Sequence, residues 1–187
     1  MTWVLSTSGL HDMSHGAACT PALRERSAHR IWAQHPHRDR HERAVFRDFF
    51  DGALASGSAF VVHDAKDDRV IGSTRFHAYD PVRGEVEIGW TFLARSHWGG
   101  RYNGEMKALL LDHAFAGVER VVFFVGEHNG RSRRAVERIG AVCVKDRPDP
   151  SDPVHVVYEM TSERWRSRRL TLGDANRDRA GSPSGAR

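Results

Sequence analysis

The spacing of hydrophobic residues changes along the chain from a helical to an extended period. Between positions 31 and 57, charged residues separate apolar positions at helical spacing, which predicts an amphipathic helix that ends at Gly57. The apolar positions are Val45, Phe46, Phe49, Phe50 and Ala53. Two runs rich in strand-forming residues follow, AFVVHD and VIGSTRFHAY, separated by the polar turn AKDDR. This arrangement predicts a β-hairpin.

The next segment, EVEIGWTFL, alternates apolar and other residues, as a strand with one buried face does. One face is predicted to carry Val86, Ile88, Trp90 and Phe92. The opposite face is predicted to carry Glu85, Glu87, Gly89 and Thr91.

The second half of the body alternates helices with buried strands. A loop and a helix follow Leu93, and VERVVFFVG then has the five consecutive apolar residues of a strand buried on both faces. A helix is predicted from Arg131 to Ile139, with Gly140 as its stop, before two final strands. The pattern predicts one α/β domain with a mixed, mostly antiparallel sheet flanked by helices. It spans 31–162, after a poorly defined segment, 1–30, and before a basic disordered tail, 163–187.

Charge is concentrated in that tail. The protein has 187 residues and a formal net charge of +4. Seven arginines and three acidic residues lie in 161–187, so the remaining body is neutral. Nucleic-acid-binding domains usually carry their basic footprint on a folded face. The distribution therefore argues against nucleic acid as the principal partner.

Composition also restricts the compartment and the metal chemistry. No apolar run reaches the length of a membrane span, and the first residues lack the pattern of a signal peptide. Cys19 and Cys143 are interpreted as free thiols, so we expect a cytoplasmic protein. The sequence leaves the oligomeric state open between a monomer and a homodimer. His35, His37 and His41 lie close together, but no matching ligand set accompanies them, and no metal site is predicted.

The segment HWGGRYNG places glycines directly before a helix. The first turn of a helix exposes unpaired N–H groups with partial positive charge, and glycines let an anion approach them. This pattern suits a phosphate cradle. It equally suits a tight connection that needs left-handed residues. It is neither a dinucleotide-binding fingerprint nor a Walker loop.

The succession EVEIGWTFLARSHWGGRYNGEMKALLLDHAF and VERVVFFVGEHNGRSRRAVERIGAV resembles the GNAT superfamily of acyl-CoA-dependent N-acyltransferases, most of all the branch of ribosomal-protein N-terminal acetyltransferases. The resemblance implies the GNAT fold and acetyl-CoA as co-substrate. It implies that the strand pairs with pantetheine, that the loop holds the pyrophosphate and that Asn129 touches pantetheine. The implied cofactor-binding residues are Phe92, Leu93, Trp98, Gly99, Gly100, Arg101, Tyr102, Asn103, Gly104 and Asn129.

Transfer of an acetyl group to an amine requires a proton acceptor beside the thioester carbonyl. Glu87, just before the Gly-Trp step of the strand, is the first candidate for the catalytic base, and Glu85 is the alternative. Both would equally suit a solvated strand face. Ser132 is the candidate proton donor or hydrogen-bond partner for the sulfur, although it also suits a helix cap. Tyr102 and Tyr158 are alternative phenolic donors.

The predicted function is direct acetyl transfer from acetyl-CoA to a primary amine, on a protein N-terminus or a small molecule. A non-catalytic acyl-CoA-binding module is the alternative, and nucleic-acid association through the tail is a second one. Several side chains are candidates for the acceptor pocket, although core packing would also explain the aromatic ones. They are Trp32, Phe49, Phe50, Arg75, His77 and Tyr79.

Overall fold

The computed structural model describes residues 5–6, 28–35, 37–99, 101–145, 147–148 and 154–170. Within these ranges the chain alternates strands and helices. The strands are β1 (Leu5–Ser6), β2 (Ala59–His63), β3 (Val70–Asp80), β4 (Glu85–Leu93), β5 (Arg120–Gly126), β6 (Val142–Val144) and β7 (His155–Thr161). The helices are α1 (Ala28–Trp32), α2 (Arg43–Ala55), α3 (Tyr102–Ala114), α4 (Gly130–Arg138) and α5 (162–170), with short 3-10 turns at Arg38–His41 and Arg95–His97.

The strands form one mixed sheet in the order β1-β2-β3-β4-β5-β7-β6. All neighbours are antiparallel except β4 and β5, which run parallel. The parallel pairing covers only Glu85–Glu87 against Arg120–Val122. Beyond it the carboxyl ends of β4 and β5 separate, while β5 remains paired with β7 along its whole length. The predicted fold class is confirmed, and the sheet opens at its centre.

Helices cover both faces of this sheet. On one face, α3, α4 and α5 contribute to the main core through Leu110, Val136 and Trp165, which cluster with Ile88 and Phe123 of the central strands. On the other face, α2 packs on β2 through Ala53, next to Ala59 and Val61. Adjacent strand residues point to opposite faces, which is why Val61 faces α2 while Val62 joins the main core.

The strict alternation predicted for β4 is wrong beyond Gly89. Trp90 has a left-handed backbone, with φ of 49°, and the pairing register with β3 shifts at this point. A bulge inserts one residue and reverses which side chains face which layer. Phe92 therefore packs with α1 and α2, whereas Val86, Ile88 and Leu93 pack in the main core.

The prediction of a disordered tail from residue 163 is wrong for 163–170, which continue from β7 as helix α5. Trp165 is buried in the main core, and its Nε1 donates a hydrogen bond to Asp112 Oδ1 of α3 at 2.7 Å. Arg169 donates to Asp112 Oδ2 at 2.8 Å. Burial of the large Trp165 side chain stabilises the helix despite the polar composition of this segment. The rest of the predicted tail, 171–187, and most of the predicted N-terminal segment lie outside the described residues.

None of the described helices combines the length and apolar character that a membrane span requires.

Candidate active site

A cavity of ≈ 1470 Å³ occupies the opening between β4 and β5. Its wall runs from the loop before α3, along Gly89–Leu93 of β4 and Phe123–Gly126 of β5, to the start of α4. Pockets for one drug-sized ligand measure roughly 300–1,000 Å³. This cavity has room for two substrates at once. The predicted site residues in its wall are Glu87, Phe92, Leu93, Trp98, Gly99, Asn103, Gly104, Asn129 and Ser132.

The loop before α3 has the geometry of an anion cradle. Gly99 has φ of 73°, a conformation that L side chains rarely adopt, and no described residue beyond its chain neighbours has an atom within 4 Å of the place where its Cβ would be. The residue that precedes α3, Arg101, makes no side-chain cap at this helix start. Space is also open beside Gly104 in the first helical turn. Gly100 lies outside the described residues.

Contacts from the hairpin and the helix fix this loop. Trp98 Nε1 donates to the carbonyl of Leu93 at 2.8 Å. The buried His97 joins its Nε2 to Asp64 Oδ2 of the β2–β3 turn at 3.1 Å. Two residues predicted to bind the cofactor support the loop without forming part of the cavity wall. Tyr102 packs edge-on against His97, with ring centroids 4.8 Å apart, and Arg101 pairs with Glu105 at 3.4 Å.

The start of α4 forms the opposite side of the opening. Asn129 is the N-cap of this helix, and its Oδ1 accepts a hydrogen bond from the backbone N–H of Ser132 at 3.1 Å. Ser132 is therefore the residue being capped. The Arg131 guanidinium lies 3.9 Å from the Trp98 ring centroid and donates to the carbonyl of Ile31 at 3.0 Å. The side chain thus links α4, α1 and the glycine-rich loop around the cavity.

The missing side chain of Gly89 makes room for the carboxylate of Glu87. A Cβ at Gly89 would lie only 2.5 Å from Glu87 Oε1, so only glycine at this position leaves the carboxylate where it is. Glu87 is buried, and its negative charge raises the pKa of both Lys107 and Arg75 against the larger, opposite effect of burial. The predicted base thus lies in the cavity within a cationic setting.

Glu85, the alternative base, is held in an ion-pair network. Both oxygens of its carboxylate accept hydrogen bonds from the guanidinium of Arg147, with Nη1 and Oε2 3.0 Å apart. Arg83 Nε lies 3.5 Å from Oε1, and Arg120 Nη1 lies 4.0 Å from Oε2. The Glu85 hydrogen bond is the main reason that the pKa of Arg147 is raised. Glu85 anchors the β6–β7 connection to β4.

Lys107 is a buried cation that extends from α3 to the opening between the strands. Its Nζ donates to Thr91 Oγ1 at 2.9 Å and lies 5.1 Å from the centroid of the Phe123 ring. Thr91 Oγ1 is 2.8 Å from Thr74 Oγ1, and both hydroxyls donate to the carbonyl of Gly89. Burial lowers the pKa of Lys107 to about 7, and the charge of Glu87 partly offsets that effect.

The residues predicted to line an acceptor pocket separate into two groups. Trp32 and His77 lie in the cavity wall. Arg75 donates instead to the carbonyls of Phe49 and Gly52 in α2, at 3.1 Å each, and Tyr79 is exposed. The remaining candidates, Phe49 and Phe50, pack beside the cluster of Trp32, Phe46 and Phe92.

Two further side chains of the cavity wall, His35 and Arg40, were not predicted. Arg40 is buried, lies over the Phe49 ring at 4.6 Å, and its Nη1 is 3.1 Å from His35 Nε2. Burial and then the charge of Arg40 lower the pKa of His35 to about 3, so its imidazole is neutral at physiological pH. Near α1 the wall is therefore cationic and aromatic.

Tyr158, one of the predicted phenolic donors, is engaged away from the cavity. Its hydroxyl donates to Glu137 Oε1 at 2.7 Å and accepts from Arg133 Nε at 3.0 Å. Burial is the main cause that raises its pKa. Among the residues that the structure describes, no group of three or more His, Cys, Asp or Glu side chains is placed to hold a metal ion.

The sequence matches the model of the acetyltransferase (GNAT) domain over residues 11–142, more than half of the chain. The chain belongs to the GNAT acetyltransferase family. Members of this family generally transfer acetyl groups from acetyl-CoA to amines, and the cavity of this GNAT domain lies between β4 and β5, where those strands separate. No curated protein is significantly similar to the chain.

Solved structures share the fold of this GNAT domain. A GCN5-related N-acetyltransferase from Brucella melitensis has a TM-score of 0.74 at 21% identity, covering 88% of this chain and 79% of its own. The acetyltransferase from Agrobacterium tumefaciens has a TM-score of 0.56 at 25% identity, covering 74% and 86%. Mycobacterium smegmatis RimJ, in complex with CoA-disulfide, has a TM-score of 0.59 at 19% identity, covering 91% and 89%.

Lys107, His97 and Asp64 are cavity or loop-supporting residues that the sequence analysis missed. For Lys107 the sequence contained a signal. The inward face of α3 carries Met106, Leu110, Leu111 and Ala114, and Lys107 lies on that same face. Lysine is almost never fully buried without a partner, so a lysine at a core position of a helix indicates a polar contact or a functional role. The contact between His97 and Asp64 joins residues 33 positions apart and had no local signal.

Proposed function

We propose that this GNAT domain is an enzyme that transfers an acetyl group directly from acetyl-CoA to a primary amine. The observation that carries the proposal is the burial of Glu87 in the same cavity as the anion cradle of the α3 loop. A cradle alone would suit a domain that only binds acyl-CoA. A buried carboxylate at the point where β4 and β5 separate adds a group that accepts a proton.

The described residues fit coenzyme A. The start of α3 and the left-handed Gly99 suit the pyrophosphate, because the first turn of a helix carries partial positive charge. The edge of β4 at Phe92 and Leu93, which is unpaired with β5, suits the amide groups of pantetheine, and Asn129 lies in the facing wall. When bound, acetyl-CoA supplies an acetyl group activated as a thioester. Arg101 reaches the phosphates only if its pair with Glu105 opens.

In this proposal Glu87 accepts a proton from the attacking amine, directly or through a water. Glu87 is preferred to Glu85 because three arginines surround the Glu85 carboxylate. Ser132 remains a proposed hydrogen-bond partner of the sulfur at the start of α4. Glu85 lines the same cavity, but both of its carboxylate oxygens already accept hydrogen bonds from Arg147.

The proposed acceptors are a protein N-terminus or a small-molecule amine. The resemblance to ribosomal-protein N-terminal acetyltransferases supports peptide N-termini as the first acceptors to test. A panel of peptides, amino acids and polyamines, with thiol release as the measurement, tests the transfer itself. Release above the rate of acetyl-CoA hydrolysis is expected for at least one class. Binding without transfer to any acceptor would favour the non-catalytic acyl-CoA-binding module.

Acetyl-CoA binding is tested separately by thermal unfolding of the wild type and a Gly99→Val variant. Ligand that binds only the folded state raises the Tm of the wild type. A valine at Gly99 blocks the cradle, so the rise is expected to disappear. Gly57→Val is the matched control, since Gly57 is also left-handed, with φ of 63°, and has open space around it at the end of α2. An equal rise in both variants would contradict the cradle.

A further inference from the structure

Lys107 is buried where an amphipathic helix normally places an apolar residue. Lysine is almost never buried without a counter-charge or a function. Its described hydrogen-bond partner is a neutral hydroxyl, Thr91 Oγ1, and a ring face of Phe123 lies below it. Thr91 belongs to β4 and Phe123 to β5, so the ammonium group bridges the two strands where they separate. If the position only filled the core, leucine or methionine would be more favourable, since neither buries a charge.

Glu87 and Lys107 face the same opening from different elements. The Glu87 carboxylate occupies the space where a side chain at Gly89 would begin. The Gly89 carbonyl accepts from the hydroxyls of Thr74 and Thr91, and the Thr91 hydroxyl accepts from Lys107. The bulge of β4 therefore connects an anionic and a cationic group through one peptide unit. Among the described residues, Glu87 is the charged side chain that acts on Lys107, and its charge also acts on Arg75 of β3.

Other proton donors are less well placed for a leaving group in this opening. The Tyr158 hydroxyl is committed to Glu137 and Arg133. Tyr102 packs on His97 beside the loop, outside the cavity wall. Ser132 lies in the wall, but a hydroxyl without a base holds its proton far above neutral pH. Lys107 also lines the opening, and burial lowers its pKa to about 7, a value that suits proton donation at neutral pH.

We propose that Lys107 is the catalytic acid that protonates the leaving sulfur, acting with Glu87 as a pair of proton-transfer groups across the opening between β4 and β5. The inference rests on the proposed function. As the amine nitrogen bonds to the carbonyl carbon, Glu87 takes one amine proton. As the carbon–sulfur bond breaks, the Lys107 ammonium gives one proton to the sulfur. The products are an amide and a thiol, and proton exchange with solvent restores both side chains.

The first test measures the lysine directly, without substrate. The chain has three lysines, Lys66, Lys107 and Lys145, so NMR of lysine-labelled protein gives few signals. The signal that disappears in Lys107→Met belongs to Lys107. Titration of this signal near neutral pH supports the proposal. Titration near 10.5, the ordinary lysine value, would overturn it.

The second test compares the pH dependence of kcat in wild type, Lys107→Met and Lys107→Arg. Both variants are expected to lose roughly 10²–10⁴-fold in kcat, the usual share of acid–base catalysis. Arginine keeps the positive charge but not the ability to give up a proton. In the wild type, kcat is expected to fall at alkaline pH as Lys107 loses its proton. This decrease is expected to be absent in both variants. Acetyl-CoA affinity, from calorimetry, is expected to change little.

Chemical rescue separates catalysis from a structural role. Added ethylammonium is expected to restore part of kcat in Lys107→Ala, because it fills the vacated space and carries a proton. Lys66→Ala, at an exposed lysine of the β2–β3 turn, serves as the control and is expected to stay within a few-fold of wild type, with or without ethylammonium.

The outcomes distinguish the two proposals. If the wild type transfers acetyl groups and Lys107→Met keeps full kcat, the proposed role of Lys107 is overturned and the proposed function stands. Loss of kcat in Ser132→Ala with no loss in Lys107→Met assigns the proton donor to the serine. A wild type that neither binds acetyl-CoA nor releases thiol overturns the proposed function, and this inference with it. If Lys107→Met does not fold, Lys107→Arg assigns the lysine signal and completes the kinetic comparison.

Discussion

Glu87 is a buried carboxylate, held beside Gly89 where bulk water has little access to it. Replacement of Glu87 by Gln keeps the shape of the side chain and removes the base. We expect kcat to fall by about 10²–10⁴-fold, while the affinity for acetyl-CoA stays nearly constant. Steady-state kinetics and calorimetry measure the two quantities.

Glu85→Gln is the matched control in the same strand. It removes a carboxylate that anchors Arg147, so we expect a lower Tm and a smaller effect on kcat. The opposite ranking of kcat would identify Glu85 as the base. Full activity in both variants would mean that the enzyme works by positioning an amine that is already neutral.

At the scale of elements, helix α5 completes the layer that covers the central strands. Trp165 fills the core between α3 and the sheet and bonds Asp112. Trp165→Ala is expected to lower the free energy of unfolding by about 3–5 kcal/mol, as for other large buried aromatic residues. Denaturant unfolding checks this value. Leu170→Ala, in the exposed last position of α5, is expected to be nearly neutral. Equal small effects would show that α5 is dispensable.

At the scale of the whole molecule, Lys107 links stability to pH. Its folded pKa is about 7, against 10.5 for an ordinary lysine, so between these values the unfolded chain binds more protons than the folded one. The free energy of unfolding should therefore rise with pH across this window relative to Lys107→Met. The contribution is complete above 10.5 and is lost as pH falls through 7. Parallel urea titrations at several pH values measure the difference, and parallel curves for the two proteins would contradict it.

The sequence by itself determined the central strands, the ends of two helices and the family. Alternation in EVEIGWTFL, the apolar run VERVVFFVG and the glycine stops at Gly57 and Gly140 predicted strands and helix ends that the structure contains. These signals are local, since a period or a turn residue acts within a few positions. The same sequence segments also resemble the GNAT superfamily, and the family match confirms that resemblance.

Tertiary structure decided what those elements place together. The bulge at Trp90 depends on pairing between β3 and β4, so the alternation could not show that Phe92 changes faces. The burial of Trp165 depends on α3, whose Asp112 lies more than 50 residues earlier in the sequence. Local composition does not show that contact, and it therefore predicted disorder where α5 forms. Lys107 reaches the cavity only because the strands beside α3 separate. Such contacts join segments that are distant in the sequence. Their energies come from burial and strand pairing, which arise only when those segments pack together.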